Sequence, residues 1–389
     1  MSKPTRPSGL TILFSGMIAA DPYQGGASWA VLQYLLGLRK LGHRVLFVEP
    51  VKAAKLQPAG AGLDPSSNAA YFRQVTARFG LDGAAALLLE GTEQTVGLPY
   101  DRIREAAAGA DVLMNVSGML ADDELVGRIP ARVYLDLDPA FIQVWHAGYG
   151  IDMGFARHTH FVTVGQAVGR PGCPVPTCGL DWVPTFQPVD LDAWQPGREI
   201  GCHAFTSIGN WRGYGSVEHG GVFYGQKAHS FRQLIDLPRR TAEPLLMGLA
   251  IHPGEVNDLR ALSEHGWQLT DPAAVAGTPD AYQQFVSASK GELGIAKAGY
   301  VASRCGWFSD RSACYLAAGR PVVAQETGFS QFMPTGEGVF AFATATEAAA
   351  AIATVNGDYR RHADAARALA EAYFDSAKVL ARLLRTVGA

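Results

Sequence analysis

Residues 298–329 read AGYVASRCGWFSDRSACYLAAGRPVVAQETGF, and this stretch decides the fold. It predicts a strand over Gly294–Ala302, a tight loop, a helix, a turn and a second strand. The loop runs from Ser303 to Arg311 and ends where the helix begins. Gly319-Arg320-Pro321 stops the helix, and Val322-Val323-Ala324 starts a buried strand. Small and hydroxyl residues at the helix start, with Arg311 in its first turn, suit a bound phosphate. A helix N-terminus offers unpaired N–H groups and about half a unit of positive charge. Such a unit late in a long α/β chain points to an enzyme that holds a nucleotide diphosphate.

Outward from this stretch the alternation of strand and helix continues. Leu10–Phe14 is a short apolar strand ending in Ser15-Gly16. A glycine-rich loop follows, then a helix over Ser28–Leu41, then the strand Arg44–Pro50. That order is a parallel, doubly wound opening. Further strands are expected at 111–118, 132–139 and 160–165. Ser15, Gly16, Ser117, Gly118, Asp138 and Gly165 fall at strand ends, where open α/β sheets bind ligands. Residues 181–196 are rich in proline and acidic side chains and read as a linker. The pattern then restarts with strands at 203–208 and 244–250. The expected division is an N-terminal domain 1–185, a linker 186–196 and a C-terminal domain 197–370. A final helix, 371–389, could return to the N-terminal domain.

Composition bounds the function. A chain of 389 residues that is 48% hydrophobic and 18% charged supports two well-packed cores. The net charge of −3 gives no basic face, so no nucleic-acid partner is expected. No stretch approaches the roughly 18 apolar residues of a membrane span. Residues 1–9 do not resemble a secretory signal, which makes the cytoplasm the expected compartment. Cys173 and Cys178 stand without a second close pair, so reduced thiols are expected and no metal site. A homodimer is one assembly the sequence allows.

Two Rossmann-like halves, a proline-rich linker and a phosphate-type helix start in the second half resemble the GT-B glycosyltransferases across essentially the whole chain. Gly319-Arg320-Pro321-Val322-Val323-Ala324 is similar to their G-x-P-V-V-A turn. Gln24-Gly25-Gly26 before a helix, then Leu41-Gly42-His43-x-Val45, is similar to their N-terminal opening. The resemblance implies two α/β domains facing a central cleft, with the acceptor on the first and the sugar nucleotide on the second. Two departures stand out. Gly306 and Cys314 occupy the places of the E-x7-E glutamates of retaining relatives. Cys305-Gly306-Trp307-Phe308-Ser309 is similar to the H-C-G-W-N-S loop of plant-type inverting enzymes, but lies two residues further from the turn glycine.

Within that frame each candidate has a functional and a plain reading. Ser309, Asp310 and Arg311 suit the donor diphosphate, or a helix cap with a first-turn salt bridge. Gly209, Asn210 and Trp211 follow the first strand of the second half and allow close approach of a ligand. Lys227 could neutralise the leaving diphosphate, or be a solvated surface lysine. Trp267 and Leu269 could lie by the nucleobase, or in the core. Gln325, Glu326 and Thr327 follow the last strand, and Glu326 could accept from sugar hydroxyls. Gly25, Gly26, Ser28 and Ser117 are cleft-loop candidates on the acceptor side. Asp138 is the candidate general base, with His146, His158 and His160 as weaker competitors. Asp136-x-Asp138 also matches the metal motif of the GT-A fold.

The expected activity is metal-independent transfer of a hexosyl or deoxyhexosyl group from a nucleotide diphosphate sugar to a small-molecule or glycan acceptor, with no resident cofactor. The alternatives are a nucleotide-sugar 2-epimerase on the same fold and a non-catalytic nucleotide- or glycan-binding protein.

Overall fold

The strand order follows from where the apolar runs fall. A computed structural model describes residues 9–197 and 199–389. Contacts divide the chain into two units: Met1–Leu137 with Asp152–Val162 and Ser376–Ala389, and Asp138–Ile151 with Thr163–Asp375. The division differs from the linear one at residues 185–196. The helix Phe141–Tyr149 explains part of the difference. Its Phe141 ring packs edge-on against Tyr214, Tyr224 and Tyr300, all in the second unit.

The first unit contains β1 (Thr11–Ser15), β2 (Arg44–Val51), β3 (Ala85–Leu89), β4 (Thr95–Gly97), β5 (Val112–Val116), β6 (Ala131–Asp136) and most of β7 (His160–Thr163). These strands are ordered β4-β3-β2-β1-β5-β6-β7. The pairs β1–β2, β1–β5, β2–β3 and β5–β6 are parallel, and β4 is an antiparallel edge. β1 and β5 are continuous buried runs, as strands covered on both faces must be. The last helix, Ser376–Thr386, packs on the helix Gly25–Lys40. Gly37 makes that approach possible, since a Cβ there would sit 2.6 Å from Leu380 Cδ1.

Glu49 lies on β2 and is fully buried. Its Oε1 accepts hydrogen bonds from the backbone N–H groups of Ile18, Ala19 and Ala20, pinning the loop after β1. Burial outweighs those bonds and pushes the Glu49 carboxyl up from 4.5 to about 7. The folded state therefore holds a proton that the unfolded chain releases near pH 4.5. Stability falls as pH rises from about 4.5 through about 7, by roughly 3 kcal/mol in all. The expected result is a loss of urea midpoint between pH 5 and pH 8 that Glu49→Gln largely removes. Equal pH dependence in both proteins would refute the assignment.

In the second unit are β8 (Trp182–Pro184), β9 (Cys202–Asn210), β10 (Val217–His219), β11 (Val222–Tyr224), β12 (Leu245–Ala250), β13 (Gln268–Thr270), β14 (Ser289–Gly294), β15 (Val322–Gln325) and β16 (Val339–Phe342). Six of them form a parallel sheet in the order β13-β12-β9-β14-β15-β16. A core of Phe205, Trp211, Phe231, Leu245, Trp267 and Ile352, among others, packs against it. β10 and β11 form an antiparallel hairpin turned at Gly220-Gly221, both with positive φ. The strand expected over 294–302 is displaced. β14 ends at Gly294, and Ala298–Ser303 is a short helix.

Candidate active site

The carboxyl ends of β9, β14 and β15 define the candidate site, as expected for an open parallel sheet. The loop from Arg304 to Ser309 crosses these ends and feeds the helix Asp310–Ala317. Arg304 and Gly306 have φ of +47° and +77°, which turns the chain sharply. A Cβ on Gly306 would sit 2.9 Å from the Ala167 nitrogen. Ala167 N–H donates to the Cys305 carbonyl at 2.9 Å, and Gly306 N–H to the Thr327 carbonyl at 2.8 Å. The loop is thus clamped from two sides. Ser309 caps the helix, accepting from Arg311 N–H at 3.2 Å. A recess of about 10 Å³, lined by Gly294, Trp307, Ser309, Arg311 and Gln325, opens beside this cap.

Three cations surround this region, and two are already paired. Arg311 is nearly buried; its Nε donates to Glu292 Oε1 at 2.6 Å and its Nη1 to the Ile208 carbonyl at 2.7 Å. Lys297 Nζ donates to both oxygens of Asp138, at 2.9 and 3.0 Å. It also lies 4.4 to 5.2 Å from the ring centres of Tyr214, Phe141 and Tyr300. The Tyr214 hydroxyl donates to Asp138 at 2.5 Å, and the Tyr300 hydroxyl donates to the same carboxylate. Burial and the Asp138 charge push the Tyr300 phenol up.

Lys227 is the third cation. It opens the helix Lys227–Gln233, and its side chain is half-buried. A Cβ on Gly209 would fall 2.7 Å from Lys227 Nζ, so this glycine makes room for the ammonium. Among the described residues Lys227 Nζ has no hydrogen-bond or ion-pair partner. Burial, followed by the Arg311 charge, holds Lys227 well below the ordinary lysine range.

Several sequence candidates have structural employment. Trp211 is in the core, its indole N–H bonded to Asp258 at 2.9 Å. Trp267 is also in the core, bonded to the Ile235 carbonyl at 2.9 Å and packed on Phe231. Neither presents a face for a base to stack on. Leu269 is partly exposed on the edge strand β13, and Asn210 is exposed at the end of β9. Gln325 accepts from Ala296 N–H at 3.2 Å, while the Thr327 hydroxyl donates to the Trp307 carbonyl. Glu326 accepts from Gly328 N–H within its own turn. Asp310 accepts from the Ser309 hydroxyl at 3.3 Å. Asp138, expected as an open base, instead has three donors on its carboxylate and serves as the counter-ion of Lys297.

The first unit has its own cavity, about 470 Å³, at the carboxyl ends of β1, β2 and β5. Met17, Asp21, Lys52, Lys55, Ser117 and Met153 are part of its lining. Ser117 sits there with φ +52°. Gly25, Gly26 and Ser28 do not line it. They start the helix Gly25–Lys40, and the buried Ser28 hydroxyl bonds Gln24 and Tyr71. His158 is buried between Asn115 and the Gly154 carbonyl, and burial pushes it down to about 4.

Sequence reasoning missed Glu292, Tyr214, Lys297 and Tyr300. Lys227 and Lys297 are two of only eight lysines in the chain, which was the available signal. Their shared location depends on partners up to 159 positions apart.

No family model matches the sequence, and no curated protein sequence matches it. Solved structures do match over nearly the whole chain. An alpha-glucosyltransferase in complex with UDP-glucose and DNA containing an abasic site is 13% identical, covering 97% of this chain and 99% of that one at a TM-score of 0.60. Anabaena Alr3699/HepE in complex with UDP-glucose is 14% identical, with the same coverage and a TM-score of 0.60. The chain has the GT-B glycosyltransferase fold. One expectation is corrected here. Charge balance had excluded nucleic acid as a partner, yet proteins of this fold are found with DNA bound. Net charge is a weak guide, because one local cationic surface is enough for backbone contacts. Among the described residues no helix is long and apolar enough to cross a membrane.

Proposed function

We propose that this protein is a glycosyltransferase that moves a hexosyl or deoxyhexosyl group from a nucleotide diphosphate sugar to an acceptor. The carrying observation is Lys227: a half-buried ammonium with no hydrogen-bond or ion-pair partner among the described residues, at the strand ends where a GT-B second domain has its donor site. A diphosphate would supply the missing counter-charge. Lys227 and the helix N–H groups at Ser309 and Asp310 can stabilise the departing diphosphate, whose charge grows in the transition state. In this reading the transfer needs neither a divalent ion nor a resident cofactor. Five cysteines, with no disulfide among the described residues, fit a reducing compartment such as the cytoplasm. UDP-glucose is the first donor to try, because similar structures hold it. The unit-one cavity is the acceptor candidate.

The test is a thermal-shift screen against UDP, GDP, TDP and ADP and their sugars, followed by donor-hydrolysis assays with and without chelator. The expected result is stabilisation by one diphosphate and slow, chelator-resistant release of sugar. Binding without any sugar release would favour a non-catalytic binder, and no binding at millimolar nucleotide would end the donor-site reading.

A further inference from the structure

At the opposite end of β15 from the candidate donor site, a buried cation has no carboxylate partner among the described residues. Arg320 follows Gly319 and precedes Pro321, and only 1% of it is exposed. Its Nε donates to the Ser287 carbonyl at 2.9 Å, its Nη2 to the Glu199 carbonyl at 2.7 Å, and its Nη1 to the Tyr359 hydroxyl at 3.3 Å. All three acceptors are neutral. Ser287 lies in the last turn of the helix Pro279–Ala288, whose negative end offsets only about half a charge. A guanidinium stays protonated and a buried charge normally has a counter-ion.

Arg320 also lines the wall of a cavity of about 640 Å³, with Tyr359, Arg360, Asp364 and Arg367 around it. Arg367 is balanced by Glu371 at 2.7 Å. Arg360 is exposed and, among the described residues, has no hydrogen-bond or ion-pair partner. Among the described residues the lining thus carries two guanidinium groups without a carboxylate partner, Arg320 and Arg360, against one carboxylate, Asp364. Planar guanidinium forks match phosphate oxygens. The volume lies within the range of small-molecule sites, roughly 300–1,000 Å³.

We propose that this groove is a second anion site, separate from the donor site, that takes a phosphate-bearing small molecule. Arg320 forms its fixed wall and Arg360 its adjustable rim. The proposal does not depend on the glycosyltransferase reading.

The experiment is calorimetric titration with inorganic phosphate and pyrophosphate, against chloride at matched ionic strength. It uses the full chain and the Lys227→Ala and Arg360→Glu variants. Lys227→Ala removes the donor-site cation, so the anion binding that persists there reports the groove. Arg360→Glu sits on the rim and leaves the Arg320 anchor folded. The expected result is binding that survives Lys227→Ala and weakens by roughly tenfold or more in Arg360→Glu. Overturning results are loss of all phosphate binding in Lys227→Ala, unchanged affinity in Arg360→Glu, or no phosphate binding to the wild-type chain at tens of millimolar.

Discussion

Lys227→Ala weakens nucleotide binding roughly tenfold to a hundredfold, and the variant melts no lower than wild type. Both halves follow from the same geometry. Among the described residues the Lys227 ammonium has no hydrogen-bond or ion-pair partner, and burial with the nearby Arg311 charge opposes its protonation. Removing a half-buried charge that makes no such bond costs the free protein little. In the complex the same ammonium meets a diphosphate. A charge-assisted hydrogen bond of that kind is worth about 1.5–3 kcal/mol, or roughly tenfold to a hundredfold in affinity. Transfer suffers more, by about 10²- to 10³-fold, because the leaving diphosphate gains charge.

The sign of the pH effect follows. The free-state pKa is depressed and an anion raises it, so binding takes up a proton. Affinity falls as pH rises above the depressed free-state value, and flattens below it where the ammonium is already charged. Calorimetry in buffers of different ionisation heat reads that proton directly. Gly209→Ala provides an independent check, since its Cβ would fall 2.7 Å from Lys227 Nζ and displace the ammonium without removing it. A Lys227→Ala variant that binds nucleotide as tightly as wild type sinks the site.

The parts of the fold legible in the sequence are those where one local signal suffices. Leu10–Phe14 and Val322–Ala324 are short, mostly apolar runs bounded by turn residues, Ser15-Gly16 after the first and Gly319-Arg320-Pro321 before the second. Gly42 and Gly319 mark helix ends, and both have positive φ. β14 failed that test because its sequence, Ser-Lys-Gly-Glu-Leu-Gly, has charged residues inside a central strand. Glu292 can be there because Arg311, on the helix Asp310–Ala317, neutralises it. Conversely, Ala-Gly-Tyr-Val-Ala-Ser looked like a strand but forms a helix. The Gly299 N–H donates to the Gly225 carbonyl, and a Cβ at Gly299 would meet the Phe141 ring at 2.8 Å. Such packing is not visible locally. Trp211, just after β9, and Trp267, just before β13, could stack on a base or fill a core, and only burial separates those roles.

Arg311 shows the consequence most sharply. Read from the sequence, it is a phosphate ligand whose loss should weaken nucleotide binding in a stable protein. The structure predicts instead that Arg311→Ala unfolds easily with no nucleotide present. Glu292 is fully buried, and among the described residues its Oε2 has no hydrogen-bond partner. Truncating Arg311 leaves that carboxylate uncompensated, which costs about 3–5 kcal/mol. For a domain of this size that is a fall in melting temperature of about 10 °C or more. Arg311→Lys recovers only part of the loss, because an ammonium cannot serve both Glu292 and the Ile208 carbonyl with the geometry of the fork. The pair Arg311→Met with Glu292→Gln removes both charges together and recovers most of the stability, since replacing a whole buried ion pair is far milder than breaking one. Thermal melts of the four proteins without ligand decide the matter. If Arg311→Ala melts with wild type and loses only nucleotide affinity, the guanidinium belongs to the diphosphate and the Glu292 pairing is incidental.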